Sequence, residues 1–208
     1  MPGKPLAALC LGLALAGCSV YREATSTQID PAPGWRAIAT DADRARLRGW
    51  RSAWAEALVA ARAADSGAIA TGGALFDPDH ALEQPIPPAG EYRCRTFKLG
   101  AQSAAMPGFT AYPWFGCRVT DEGAVRGLHK LTGSQRPTGL LFTEGKARAI
   151  FLGTLVLGDE TAPLRYGLDA TRDMAGYVER VAPQRWRLVF PRPRFESIVD
   201  VIELVPAR

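Results

Sequence analysis

From Glu91 onward the chain repeats one unit, a short run rich in β-branched and aromatic residues followed by a turn signal, and this pattern restricts the fold more than any other feature. Candidate strands fall at residues 91–99, 110–120, 124–132, 138–143, 147–157, 163–167, 174–181, 185–190 and 196–205. Between them, Asp121-Glu122-Gly123, Glu144-Gly145, Gly158-Asp159 and Ala182-Pro183-Gln184 each supply a residue suited to a tight turn or its bulge. Near-regular spacing without intervening helical patterns argues for an antiparallel barrel or sandwich of about eight to nine short strands. In Ala149–Leu157 both pleat faces are apolar, so that strand is expected to be central and covered on both sides.

One amphipathic helix precedes the strands. Thr40-Asp41-Ala42-Asp43 resembles a capping box, and Leu47, Trp50, Trp54, Leu58 and Ala61 recur at spacings of three and four over residues 41–64. Asp65-Ser66-Gly67 supplies the stop, and the tryptophans read as core anchors. Residues 72–90 are rich in Pro, Asp and Gly and read as an ordered surface loop, with Pro85, Pro87 and Pro88 forbidding a helix. The expected class is mainly β (α+β), with the helix packed on the barrel or plugging it.

The N-terminus carries an address. Lys4 precedes an apolar run from Leu6 to Ala16, too short for the roughly 20 residues a membrane-crossing helix needs, and small residues follow it. This is the layout of a secretory signal. Leu15-Ala16-Gly17-Cys18 resembles the bacterial lipoprotein box, in which Cys18 accepts a diacylglycerol and becomes the mature N-terminus. The reading is a signal peptide over 1–17, a lipidated Cys18 with a flexible tether to residue 34, and a single globular domain over 35–208. The expected location is the bacterial cell envelope, lipid-anchored on the periplasmic face, with Ser19 favouring the outer membrane over the inner.

Cysteine use agrees with export. With Cys10 removed and Cys18 lipidated, Cys94 and Cys117 remain, both in strand-like stretches, and in an oxidising compartment they are expected to form a disulfide. The formal charge of +4 comes from 25 basic and 21 acidic residues interleaved along the chain, without the runs that nucleic-acid binders use. Only two histidines occur, His80 and His129, and no motif has metal-ligand spacing, so no metal and no cofactor is expected.

The densest group of hydrogen-bonding side chains is Lys130-Leu131-Thr132-Gly133-Ser134-Gln135-Arg136-Pro137, which turns at Gly133 and suits a barrel mouth able to hold an anionic ligand. The candidate ligand-binding residues are Lys130, Ser134, Gln135, Arg136, Asp159 and Arg172. His129, Ser134 and either Asp159 or Asp173 supply the residue types of a hydrolytic triad, although Gly133-Ser134-Gln135 lacks the G-x-S-x-G elbow. A structural ion-pair cluster involving Arg136 or Arg165 is the competing use of the carboxylates. Asp200 interrupts the apolar run Ile198–Ile202, where an unpaired buried charge would cost several kcal/mol, so it must be exposed or partnered.

The strings YRCRTFKLG, KLTGSQRPTGLLF, FLGTLVLGDE, RDMAGYVERV and FESIVDVIELVP resemble the bacterial family called domain of unknown function 4893, over about residues 35–206. That resemblance implies membership and brings no activity, ligand or catalytic residue. By analogy of architecture alone, a small exported barrel preceded by a helix is also calycin-like. The expected role is a non-enzymatic binding module for a small apolar or amphipathic ligand or for an envelope partner protein, with membrane contact through the lipid. The alternative is a periplasmic hydrolase.

Overall fold

The computed structural model describes residues 34–207; the expected signal peptide, Cys18 and the expected tether up to residue 33 lie outside them. Helices α1 (Trp35–Ile38), α2 (Asp41–Arg48) and α3 (Trp50–Gly72) precede strands β1 (Gly90–Ala101), β2 (Phe109–Ala111), β3 (Phe115–Asp121), β4 (Arg126–Lys130), β5 (Gln135–Thr143), β6 (Ala149–Leu157), β7 (Asp173–Ala182), β8 (Arg185–Pro191) and β9 (Ser197–Pro206). Strands β3 to β9 each pair antiparallel with the next in sequence, β3 pairs with β1, and β1 pairs with β9 from Tyr92↔Pro206 to Ala101↔Ser197. The result is a closed eight-stranded barrel, which leaves its strands no open edge. The short β2 is the extra strand, hydrogen-bonded to the distal part of β1.

Closure divides the apolar residues into two cores by strand parity. The inner core takes residues from all eight barrel strands, among them Cys94, Val119, Leu128, Leu141, Phe151, Val178, Leu188 and Leu204. The outer core takes the alternate positions, including Phe97, Leu99, Ile150, Leu152, Tyr177, Val189 and Val201, together with Trp54, Ala57, Leu58 and Ala61 of α3. The helices therefore cover the outside of the barrel and do not plug it. Strand β6 contributes to both cores, as its doubly apolar pattern predicts, and only Leu157 at its end is less than fully buried.

Three local expectations shift. The helix over 41–64 is broken at Gly49, which closes α2 and opens α3, and it resumes after a kink at Asp65. There the Asp65 carboxylate accepts the Ala68 N–H at 2.8 Å and caps a last stretch to Gly72. The strand over 110–120 is two strands, divided at Tyr112-Pro113-Trp114, where the chain passes from one part of β1 to another. Residues 163–167 form no strand. Pro163 lacks a ladder donor, and the Tyr166 hydroxyl instead donates to the fully buried Asp43 at 2.5 Å and accepts from Thr40 N–H at 3.1 Å, tying the β6–β7 loop to the start of α2.

A buried guanidinium joins the two layers. Arg187 of β8 is fully buried on the outer face, donates to Glu179 and reaches the carbonyls of Ala74, Leu75, Asp77 and His80. It thereby holds the segment after α3 against the barrel, and the buried Glu179 carboxylate also receives Arg148.

Candidate functional site

Half of the barrel interior is filled and half is open. Gly139 and Gly153 face each other across β5 and β6, and a Cβ at Gly153 would stand 2.7 Å from both the Gly139 Cα and the Phe151 ring. A Cβ at Gly176 would meet the Phe190 ring at 2.9 Å. The three glycines thus make room for two rings to lie across the lumen. Phe151 and Phe190 meet edge to face with centroids 5.4 Å apart and close off the packed half.

Above them lies a cavity of about 380 Å³. Its apolar wall includes Trp114, Phe115, Pro137, Leu155, Met174 and Phe190, and its polar groups include Thr96, Lys98, Lys130, Ser134, Gln135, Glu196 and Asp200. Pairing of β7 with β8 begins only at Tyr177↔Val189, so residues 171–175 and 191–193 separate, and both stretches border the cavity on that side.

The polar floor is an ion-pair group. Lys98 Nζ lies 2.8 Å from Glu196 and 3.2 Å from Asp200, and the Ser197 hydroxyl donates to Asp200. Burial works against the Lys98 charge, but the two carboxylates outweigh it and hold the ammonium above its ordinary range. Burial likewise pushes the Asp200 carboxyl up, against the pull of Lys98. Glu196 sits at φ 73°, a conformation disfavoured for a residue with a side chain, on a loop where Arg192 is also left-handed. Within reach of this group's charges, Lys130 Nζ rests 4.3 Å above the Phe115 ring, and burial followed by the nearby Lys98 charge lowers its pKa against the pull of Asp200.

The structure sorts the residues singled out in the sequence. Lys130, Ser134, Gln135 and Arg172 line the cavity, and Arg172 is engaged by Glu160 at 2.9 Å. Arg136 is not on the wall. It donates to the carbonyls of Gly133, Gly158 and Glu160 and clamps two turns together. Asp159 sits exposed in the β6–β7 turn, away from the wall, and the ion pair forms at its neighbour Glu160. The Arg172 guanidinium and the Leu157 N–H hold Glu160 down at about 2.

The triad is not assembled. His129 alternates with the cavity-lining Lys130 and so lies on the other face of β4, where its Nε2 is 3.2 Å from the Thr120 hydroxyl; burial lowers its pKa. The Asp173 carboxylate accepts the Gly167 N–H at 2.8 Å, and burial raises its pKa. Ser134 has neither partner beside it. Cys94 and Cys117 form the expected disulfide between β1 and β3, with Cα atoms 5.9 Å apart, inside the packed half of the barrel.

Lys98 and Glu196 were not legible as site residues. The need of Asp200 for a partner was visible, but the partner lies on a strand 102 residues earlier and is brought opposite only by β1–β9 closure, in the pair Lys98↔Asp200.

The geometry defines a class: a helix-buttressed, closed eight-stranded antiparallel barrel with a ligand-sized cavity in one mouth. Residues 35–204 match the family model described as Domain of unknown function (DUF4893), and the chain belongs to that family. No curated protein and no solved structure matches the chain.

Proposed function

We propose that this protein is a cell-envelope lipoprotein whose barrel mouth binds a small apolar or amphipathic molecule. The observation that carries the reading is the unfilled half of the lumen. Protein interiors pack to crystal-like density, and a space of 380 Å³ with apolar walls and a few converging polar groups lies in the range of ligand pockets. The disulfide supports an oxidising compartment, as does the lipoprotein box at Cys18. The same box supports anchoring by acyl chains on the periplasmic face, and Ser19 after it favours the outer membrane. Exposed Tyr112, Trp114 and Phe195 border the cavity and give an amphipathic ligand an apolar approach.

Native mass spectrometry of the full-length gene product, recovered from the membrane fraction and offered decanol, tests both parts. The expected species begins at an acylated Cys18 and takes up one decanol, and uptake is lost in Met174→Trp, whose indole occupies the cavity. Recovery of an unacylated chain still carrying residues 1–17 overturns the anchor. Failure of the wild type to take up decanol, or undiminished uptake by Met174→Trp, overturns the binding site.

A further inference from the structure

The charges in the cavity say more about what it holds. Among the described residues, Lys98 is paired with Glu196 and Asp200, Arg172 with Glu160, and Arg46 with Asp43. Arg194 is exposed at the rim, where water screens it. Lys130 differs from all of these. It is half-buried on the cavity wall, its ammonium stands over the Phe115 face, and among the described residues no carboxylate forms an ion pair with it, Asp200 attracting it only from farther off. Its Nζ lies beside Gly133, 3.5 Å from where a Cβ would be, so the missing side chain leaves the ammonium accessible on a cavity that Ser134 and Gln135 also line, the Gln135 amide donating to Glu196 at 3.5 Å.

We infer that the cavity takes a single-chain amphiphile bearing one negative charge, its head paired with Lys130 and its tail laid along Phe115, Leu155, Met174 and Phe190. This rests on the binding reading above and specifies its ligand. A cation withdrawn from water without a partner is costly, and a bound anion supplies that partner. Burial and Lys98 lower the Lys130 pKa against the pull of Asp200, so the ammonium is disfavoured where it stands and a bound anion would relieve it. One charge fits better than two, because Glu196 and Asp200 line the same cavity, Asp200 near enough to act on Lys130, and would repel a dianion. Size sets the tail: where about 150 Å³ holds one benzene, the 380 Å³ present accommodates a chain on the order of ten carbons with its head.

Isothermal titration of the full chain with decanoate, decanol and decyltrimethylammonium, in wild type and Lys130→Met, tests the assignment. Decanoate is expected to bind at least about tenfold more tightly than decanol, with the cationic amphiphile weakest. In Lys130→Met the decanoate advantage over decanol falls to within about threefold, and Lys130→Arg retains the advantage. Equal affinities for decanoate and decanol, or tightest binding of the cation, overturn the charge assignment and leave the cavity reading standing. A decanoate preference that survives Lys130→Met overturns the role of Lys130. Binding of none of the three overturns the cavity reading itself.

Discussion

Arg187→Met removes the buried guanidinium that holds the start of the post-α3 segment to the barrel. Its Nε lies 2.8 Å from Glu179, its NH1 2.6 Å from the Asp77 carbonyl and 2.9 Å from that of Ala74, and its NH2 3.0 Å from the His80 carbonyl. The side chain is fully buried and Glu179 is 1% exposed, so solvent screens little of the pair. Methionine keeps most of the volume, which makes the loss electrostatic: a buried carboxylate keeps only Arg148, and several carbonyls lose their donor. Breaking a buried pair by removing one partner typically costs 3–5 kcal/mol, and about that is expected here. For a body of this size each kcal/mol lowers Tm by about 2–4 °C, which gives a fall of roughly 6–20 °C. Urea denaturation followed by tryptophan emission measures it, since Trp54 lies 5.6 Å from the Arg187 guanidinium. Arg187→Met with Glu179→Gln removes the stranded charge and should recover about 1–2 kcal/mol. A loss under about 1 kcal/mol in the single variant would refute the clasp.

Two further outcomes follow from the geometry. Gly153→Ala places a Cβ 2.7 Å from the Gly139 Cα, a backbone contact that no rotamer relieves, and overpacking of this kind costs about 1–3 kcal/mol in a thermal melt; an unchanged Tm would mean that β5 and β6 separate freely. Glu160 is held down at about 2 by Arg172 and the Leu157 N–H, so its contribution is fully present above its ordinary 4.5 and is lost as pH falls through about 2. The stability gap between wild type and Glu160→Gln should therefore be constant above that range and close toward pH 2 in urea titrations at stepped pH, and a gap independent of pH across the window would disprove the pairing.

Alternation and turn chemistry act within a few residues, so they could be read directly. The turns at Gly123 and Gly158, both with positive φ, and the double burial of Ala149–Leu157 were visible in this way. So was the polar turn over 130–137 at a barrel mouth, because a cluster of hydrogen-bonding side chains at a strand-to-strand turn has few places to go but an end of the sheet. The misses have the opposite character. Residues 163–167 carry strand-forming side chains, but Tyr166 is drawn off to Asp43 across 123 residues. His129 and Ser134 are near in sequence, yet the pleat puts Lys130 on the cavity side and His129 on the other.

What the sequence determined by itself was a set of local preferences: which residues extend, where they turn, where a helix is capped, and that two cysteines lie on strands. Only the tertiary structure decided that β1 meets β9, and with that the pairing of Lys98 with Asp200, the layering of the helices outside the barrel and the burial of Arg187. The open half of the lumen also belongs to closure, because the space exists only where rings laid over Gly139, Gly153 and Gly176 stop short of one mouth. The physical reason is range. Backbone sterics and side-chain period operate over a few residues, whereas a charge pair, a cavity and a barrel seam join positions whose separation along the chain carries no information about their distance in space.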